Sequence, residues 1–245
     1  MLCAMTLTVS AQKPTHYYVE LKTDKGTMLL KLYNETRAHR DNFRKLVLDK
    51  YYDGLMFHRV IQNFMIQGGD PDSKYAAYGQ KLGNGGPDYK VKSEFQEGII
   101  HKKGALAAAR LGDNENPEKK SSASQFYIVQ GRKFSQAALD SLEQFRLKGK
   151  KLTPLQRETY STVGGTPHLD GNYTVFGEVI KGLETVDKIA AVKTDNNDRP
   201  EVDERMYIRL LDRLEATNLE RESQGLKPKS GFFMKIFKSK NYKLD

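Results

Sequence analysis

The chain has 245 residues, 38% hydrophobic and 29% charged, with a net charge of +9 and one cysteine. That length supports a single well-buried core with appendages, and a lone Cys3 excludes an internal disulfide framework or a thiolate metal cluster. The charge is uneven: residues 227–245 hold six lysines against one aspartate, so the body is only mildly basic and nucleic-acid binding is not expected.

Met1 to Val9 is apolar but too short to span a bilayer. Val9-Ser10-Ala11 fits a small-residue cleavage pattern before Gln12. Residues 1–11 are therefore expected to be a signal peptide, and the protein to be exported to the periplasm or cell envelope. The run has no basic n-region, so the true start is expected upstream of Met1; the alternative is an apolar start with no targeting role. After cleavage no cysteine would remain, which suits an oxidising compartment.

Tyr17 to Leu21 and Thr27 to Leu32 alternate around Asp24-Lys25-Gly26, predicting a hairpin. Between Thr36 and Lys50, Phe43, Leu46 and Val47 fall at helical spacing. The next run, Phe57-His58-Arg59-Val60-Ile61-Gln62-Asn63-Phe64-Met65-Ile66-Gln67-Gly68-Gly69-Asp70, alternates at a strand period, yet neither face is cleanly apolar. A bend or bulge near Gln62-Asn63 is expected to re-phase it, bringing Arg59, Phe64 and Gln67 onto one surface. A cation, an amide and an aromatic floor together suit a neutral, carbonyl-rich, partly apolar ligand such as a peptide.

Asp70 to Lys92 is glycine-rich and aperiodic. Gly83-Asn84-Gly85-Gly86 lacks the Lys-Ser/Thr end of a phosphate loop. Further strands are predicted at Gly104, Phe126, Tyr173 and Met206, and a second helix from Gly182 to Val192. Residues 135–166 predict a helical hairpin, with Leu139, Leu142 and Phe145 on one face of its first helix. Thr153-Pro154-Leu155-Gln156 forms a capping box for the second helix, Lys148 to Lys151 lie in the turn, and Gly164-Gly165 is the stop. The hairpin is either decoration on a tolerant loop or a lip over one end of the ligand groove. Beyond Asp212, Leu214 to Leu226 has helical tendency, and Gly231 to Lys238 is a basic, aromatic tail, packed on the body or held at an acidic membrane surface. The whole pattern predicts a mainly β architecture, a closed barrel with capped ends over residues 12–213, followed by an extension, 214–245.

The Phe57–Asp70 run resembles the signature of the cyclophilin-type peptidyl-prolyl isomerases, F-H-R-V-I-x-x-F-M-I-Q-G-G-D, at every specified position. Three further blocks follow in the family's order: Gly104 to Ala109, Ser124 to Ile128, and His168-Leu169-Asp170-Gly171 leading to Thr174-Val175-Phe176-Gly177. The resemblance covers roughly residues 17–213, apart from the insertion. It implies that the barrel is eight-stranded and antiparallel, with a helix over each opening. It also implies no cofactor, and proline-containing peptides or partly folded proteins as partners of a monomer. It also assigns roles. Arg59 is the expected catalytic residue; Phe64, Met65, Tyr127 and Leu169 line the proline pocket; Gln67 binds the substrate carbonyl and steadies Arg59. Gln125 and Gly83 border the groove, the backbones of Ala109 and Arg110 pair with the peptide, and His58, His168 and Tyr173 line the margin.

The chain departs from the best-known members at Tyr127 (a phenylalanine there), His168 (tryptophan), Tyr173 (histidine), Ala108 (methionine), Arg110 (asparagine) and Gln62-Asn63 (proline-glycine). Cyclosporin inhibition is therefore expected to be weak. Alternatives are a pure binding module, which could dispense with Arg59, and a scaffold whose insertion and tail do the work. The five histidines show no metal spacing, and His168-Leu169-Asp170 lacks a nucleophile elbow, so no metal and no hydrolase triad are expected.

Overall fold

A computed structural model describes residues 14–229. The apolar start and the Gly231–Lys238 tail, with the signal-peptide and membrane expectations they carry, lie outside the described residues. Two compact units divide the rest: residues 18–210, and the segments 14–17 and 211–229.

The elements follow the predicted order. Strands β1 (Tyr17–Thr23) and β2 (Gly26–Leu32) form the first hairpin, and α1 (Arg37–Leu48) follows. Next come β3 (Phe57–Ile61), β4 (Met65–Gly68), a 3-10 turn (Pro71–Tyr75), β5 (Lys90–Val91), β6 (Ala105–Ala108), β7 (Ser121–Ser122) and β8 (Phe126–Val129). The insertion supplies α2 (Gln136–Ser141) and α3 (Pro154–Thr162). After it come β9 (Val175–Lys181), α4 (Leu183–Ala190), β10 (Tyr207–Leu210) and, in the other unit, α5 (Arg213–Ser223). Helix α5 has a capping box between Asp212 and Glu215, and Glu220 accepts hydrogen bonds from the Thr15 N–H and hydroxyl.

Eight strands form one sheet in the order β10-β1-β2-β9-β6-β8-β4-β3, antiparallel at each registered pair. Strand number and direction match expectation; closure does not. The two edges, β3 and β10, share no ladder and meet only through an isolated Met56–Arg205 bridge just outside them. The sheet is thus a curled half-barrel. Its concave core gathers Leu21, Leu30, Ile66, Leu106, Phe126 and Ile128, covered by Phe43, Leu46 and Val47 of α1 and by Val186 and Ile189 of α4.

Alternate residues of the same strands face a second, outer cluster of Met65, Ala105, Ala107, Tyr127, Val129 and Leu169. Strands β6 and β8 are accordingly buried on both faces. This explains why their sequences read as continuous apolar runs, and it moves Tyr127 out of the main core to the face that carries the site.

The insertion has a small core of its own, Leu139, Leu152 and Tyr160. Ser135 caps α2, and the Thr153–Gln156 capping box forms as predicted. Phe145 does not join the predicted stripe and is 76% exposed. Residues Leu142–Arg146 open into a wider turn, closed by Leu147 N–H donating to the Leu142 carbonyl at 2.9 Å, and helical phase is lost there. Buried Glu143 accepts from Arg157, Lys151 and the Leu152 N–H, and Lys151 leads the causes holding its carboxyl down to about 2. The ends of the insertion touch: Gly165 N–H donates to the Arg132 carbonyl at 3.0 Å. Gly164 has φ +89°, and a Cβ there would lie 2.7 Å from that carbonyl oxygen, so only glycine fits this closure.

Candidate active site

The Phe57–Asp70 run is a hairpin rather than one bulged strand. Gln62 and Asn63 form its turn, with Asn63 at φ +62° and Phe64 N–H donating to the Ile61 carbonyl. Asparagine tolerates this conformation where most residues do not. The pairing sets Arg59 directly opposite Gln67, while an irregularity at His58 shifts the register. Side chains on the same face of paired strands are neighbours. The expected break at Gln62-Asn63 is present as a full reversal of the chain, and it brings Arg59, Phe64 and Gln67 to one cavity as expected.

These residues open onto a cavity of about 410 Å3. Phe64, Met65, Tyr127 and Leu169 provide its apolar part, and Arg59, Gln67, His58, Gly83, Ala109, Arg110 and Tyr173 also line it. Arg59 is half-exposed, with Nε 3.4 Å from Asp198 Oδ2. Gln67 donates to Gln125 Oε1 at 3.1 Å. Gln125 in turn donates to the carbonyls of Gly83 and Gly85, and Asp70 accepts from the N–H groups of the same two glycines. The glycine loop is therefore a wall pinned from both sides.

The floor is tied down by a buried hydrogen-bond chain. The Tyr127 hydroxyl lies 3.1 Å from His101 Nε2, and His101 Nδ1 lies 2.8 Å from Asp170 Oδ1. Asp170 Oδ2 accepts from the Tyr160 hydroxyl at 2.6 Å and from Gln156 at 2.9 Å, both in α3. Burial pushes the hydroxyls of Tyr127 and Tyr160 upward, so both remain donors at neutral pH. His58 is buried, neither ring nitrogen having a partner among the described residues, and desolvation lowers it to about 4. Burial likewise lowers His168 to about 4. Both imidazoles are neutral at physiological pH.

A half-barrel whose outer face carries a forked cation above an apolar slot can now be set beside known proteins. The family model described as cyclophilin type peptidyl-prolyl cis-trans isomerase/CLD matches residues 18–209. The chain belongs to the cyclophilin-type peptidyl-prolyl cis-trans isomerases. A Staphylococcus aureus relative named for peptidyl-prolyl cis-trans isomerisation is 37% identical over 183 residues, 74% of this chain and 85% of its own length. A Staphylococcus haemolyticus relative of the same name is 35% identical over 74% of this chain and 84% of its own length. A Streptococcus pyogenes protein, named as a bifunctional phosphatase/peptidyl-prolyl cis-trans isomerase, is 38% identical over 191 residues, and the match spans only 36% of it. A Cryptosporidium parvum cyclophilin has the same fold, with a TM-score of 0.57 and 22% identity over 80% of this chain and 98% of that one.

Within this cyclophilin the expected residues separate. Eleven of the thirteen line the cavity; Gln125 supports its wall, and His168 stacks on Phe64 at 5.8 Å from outside it. Gln67 donates its amide N–H to Gln125 and makes no hydrogen bond to Arg59 among the described residues; Arg59 pairs with Asp198. The Ala109 backbone is already engaged at both ends, donating to the Gln125 carbonyl and accepting from Ser122. Arg110 is the better edge for a peptide, since its own backbone makes no hydrogen bond among the described residues. The Arg110 side chain is not a free cation. It donates to the Asn172 and Leu111 carbonyls, pairs with Asp113 at 2.7 Å, and sits 4.5 Å over the Tyr173 ring.

Two further segments complete the wall: Gln80, Lys81, Leu82 and Asn84, in the Asp70–Lys92 loop that the resemblance sets beside the groove, and Asp195, Asn197, Asp198 and Arg199, which sequence reasoning missed. The second is an Asp-turn in which Asp195 accepts from the N–H groups of Asn197 and Arg199. Its Asp and Asn run signals a turn but not its destination. Docking is decided by Val60 N–H donating to the Asp198 carbonyl, and by buried Arg199 bonding the Ala77 and Gln80 carbonyls.

Proposed function

We propose that this cyclophilin accelerates rotation about Xaa-Pro bonds in folding or exported proteins, with Arg59 stabilising the twisted amide. Amide resonance gives that bond a barrier of ~20 kcal/mol, and uncatalysed exchange takes tens of seconds. No covalent bond has to break, so the catalyst need only favour the twisted form over either planar one. As the bond twists, the prolyl nitrogen regains its lone pair. A guanidinium donor aimed at that nitrogen is rewarded only in the twisted state. The observation that carries this reading is that Arg59 shares one cavity with Phe64, Met65, Tyr127 and Leu169.

Four decades of acceleration require ~5.5 kcal/mol. One charge-assisted hydrogen bond supplies about 1.5–3 kcal/mol. The remainder falls to holding: the slot grips the ring while Gln67 and the Arg110 backbone grip the chain, as an added strand is gripped. A structure of the C. parvum cyclophilin in the presence of the dipeptide Ala-Pro is a further likeness, with a TM-score of 0.56, and proline peptides are the substrate class proposed for this chain.

The test is a proline-limited refolding assay. Wild type should accelerate the slow phase, and Arg59→Ala should lose about a hundredfold in kcat/KM while its circular dichroism is unchanged. Equal acceleration by both proteins would show that catalysis does not depend on Arg59, and acceleration by neither would leave the binding-module reading. Export from the cell is proposed alongside, on the Val9-Ser10-Ala11 pattern.

A further inference from the structure

A second cavity, of about 630 Å3, adjoins the proline slot and shares the Phe64 ring with it. His168, stacked on Phe64, lines it, as do Leu142 and Arg146 of the insertion and Arg132 at the insertion's entrance. No carboxylate is among its lining residues. Arg132 lies 5.0 Å over the Phe134 ring, and both guanidinium-bearing residues are exposed. Among the described residues neither meets an acidic side chain. The contrast with Arg157 in the same insertion, which pairs with both Asp140 and Glu143, is direct. Thr166, buried, also lines the cavity, with its hydroxyl unpartnered among the described residues.

We propose that this cavity is a subsite for an acidic side chain of the substrate, one to three residues from the proline. The inference rests on the isomerase reading above and gives the insertion a part in choosing substrates. Three facts support it: two cations with no acidic partner among the described residues, the unpartnered Thr166 hydroxyl, and the shared Phe64 that joins the cavity to the slot. An extended peptide advances about 3.3–3.6 Å per residue, so a chain seated in the slot reaches the neighbouring cavity within a few residues. The wide turn at Leu142–Arg146 places Arg146 on this wall. Two exposed ion pairs of ordinary strength give about a two- to thirtyfold preference, weakened by salt because the Debye length is only about 8 Å at physiological ionic strength.

Full-length protein would be assayed on Xaa-Pro peptides bearing Glu, Gln or Lys at each of three positions on either side of the proline. At one or two positions kcat/KM should run Glu, then Gln, then Lys, spanning about fivefold and shrinking in high salt. The pair Arg132→Glu and Arg146→Glu should invert that order and leave turnover of the Gln peptides within about twofold. Charge having no effect at any position, or the wild-type order surviving in the double variant, would overturn the subsite alone. Absence of turnover on every peptide would remove the isomerase reading on which it stands.

Discussion

At the scale of single residues, the site excludes water from the groups that would otherwise titrate near neutrality. His58 shows the consequence for stability. Its ordinary value of 6.5 falls to about 4 through burial, with Asp70 opposing and Arg59 and Arg199 adding to the fall. Between those two values the unfolded chain binds a proton that the folded chain refuses. Stability is therefore complete above pH 6.5 and declines as pH drops toward 4, by up to about 3 kcal/mol at ~1.36 kcal/mol per unit. Urea midpoints measured from pH 7 to pH 4.5 should fall for the wild type and fall less for His58→Gln. Identical slopes would mean that the imidazole is not buried neutral. The place of Arg59 in the cavity was legible from the motif, but its partner was not. Asp198 follows it by well over a hundred residues, and its approach depends on one backbone hydrogen bond to β3 at Val60.

At the scale of elements, the local signals were reliable wherever a cap or turn named itself. Thr153 and Gln156 predicted the start of α3, and Gly164 its end, because both are set by neighbouring backbone groups. Phe145 was misplaced because helical period cannot foresee a wide turn. The insertion's link to the floor was equally invisible, since Tyr160, Asp170, His101 and Tyr127 belong to four separate segments. Removing the Tyr160 hydroxyl would deprive a largely buried carboxylate of its shortest hydrogen bond. Tyr160→Phe should cost about 1–3 kcal/mol in chemical denaturation and raise KM more than it lowers kcat, because the slot floor loosens while Arg59 stays in place. A variant with unchanged stability and KM would show the chain of hydrogen bonds to be idle.

At the scale of the molecule, the number and direction of strands could be read from alternation and turns, but closure of the ring could not. Pairing at the seam depends on how β3 and β10 are placed by distant parts of the chain, and the contact there is a single Met56–Arg205 bridge outside both strands. The outer cluster was the larger surprise. Alternation alone sets Tyr127 and Val129 opposite Phe126 and Ile128, and the resemblance put Tyr127 in the proline pocket, but only the fold shows that both faces are buried. The proposed export would be a property of the whole chain. Protein recovered from the cell envelope should begin at Gln12, and protein beginning at Met1 in the cytosolic fraction would contradict that proposal.

The central claim is that Arg59 binds the twisted amide more strongly than either planar form. Exchange NMR on a saturating Xaa-Pro peptide measures the cis-trans rate on the enzyme separately from the dissociation constant. In Arg59→Ala the bound-state exchange rate should fall about a hundredfold, or ~2.7 kcal/mol, while Kd changes by no more than a few-fold. A large loss of affinity with bound-state exchange as fast as in the wild type would contradict the account.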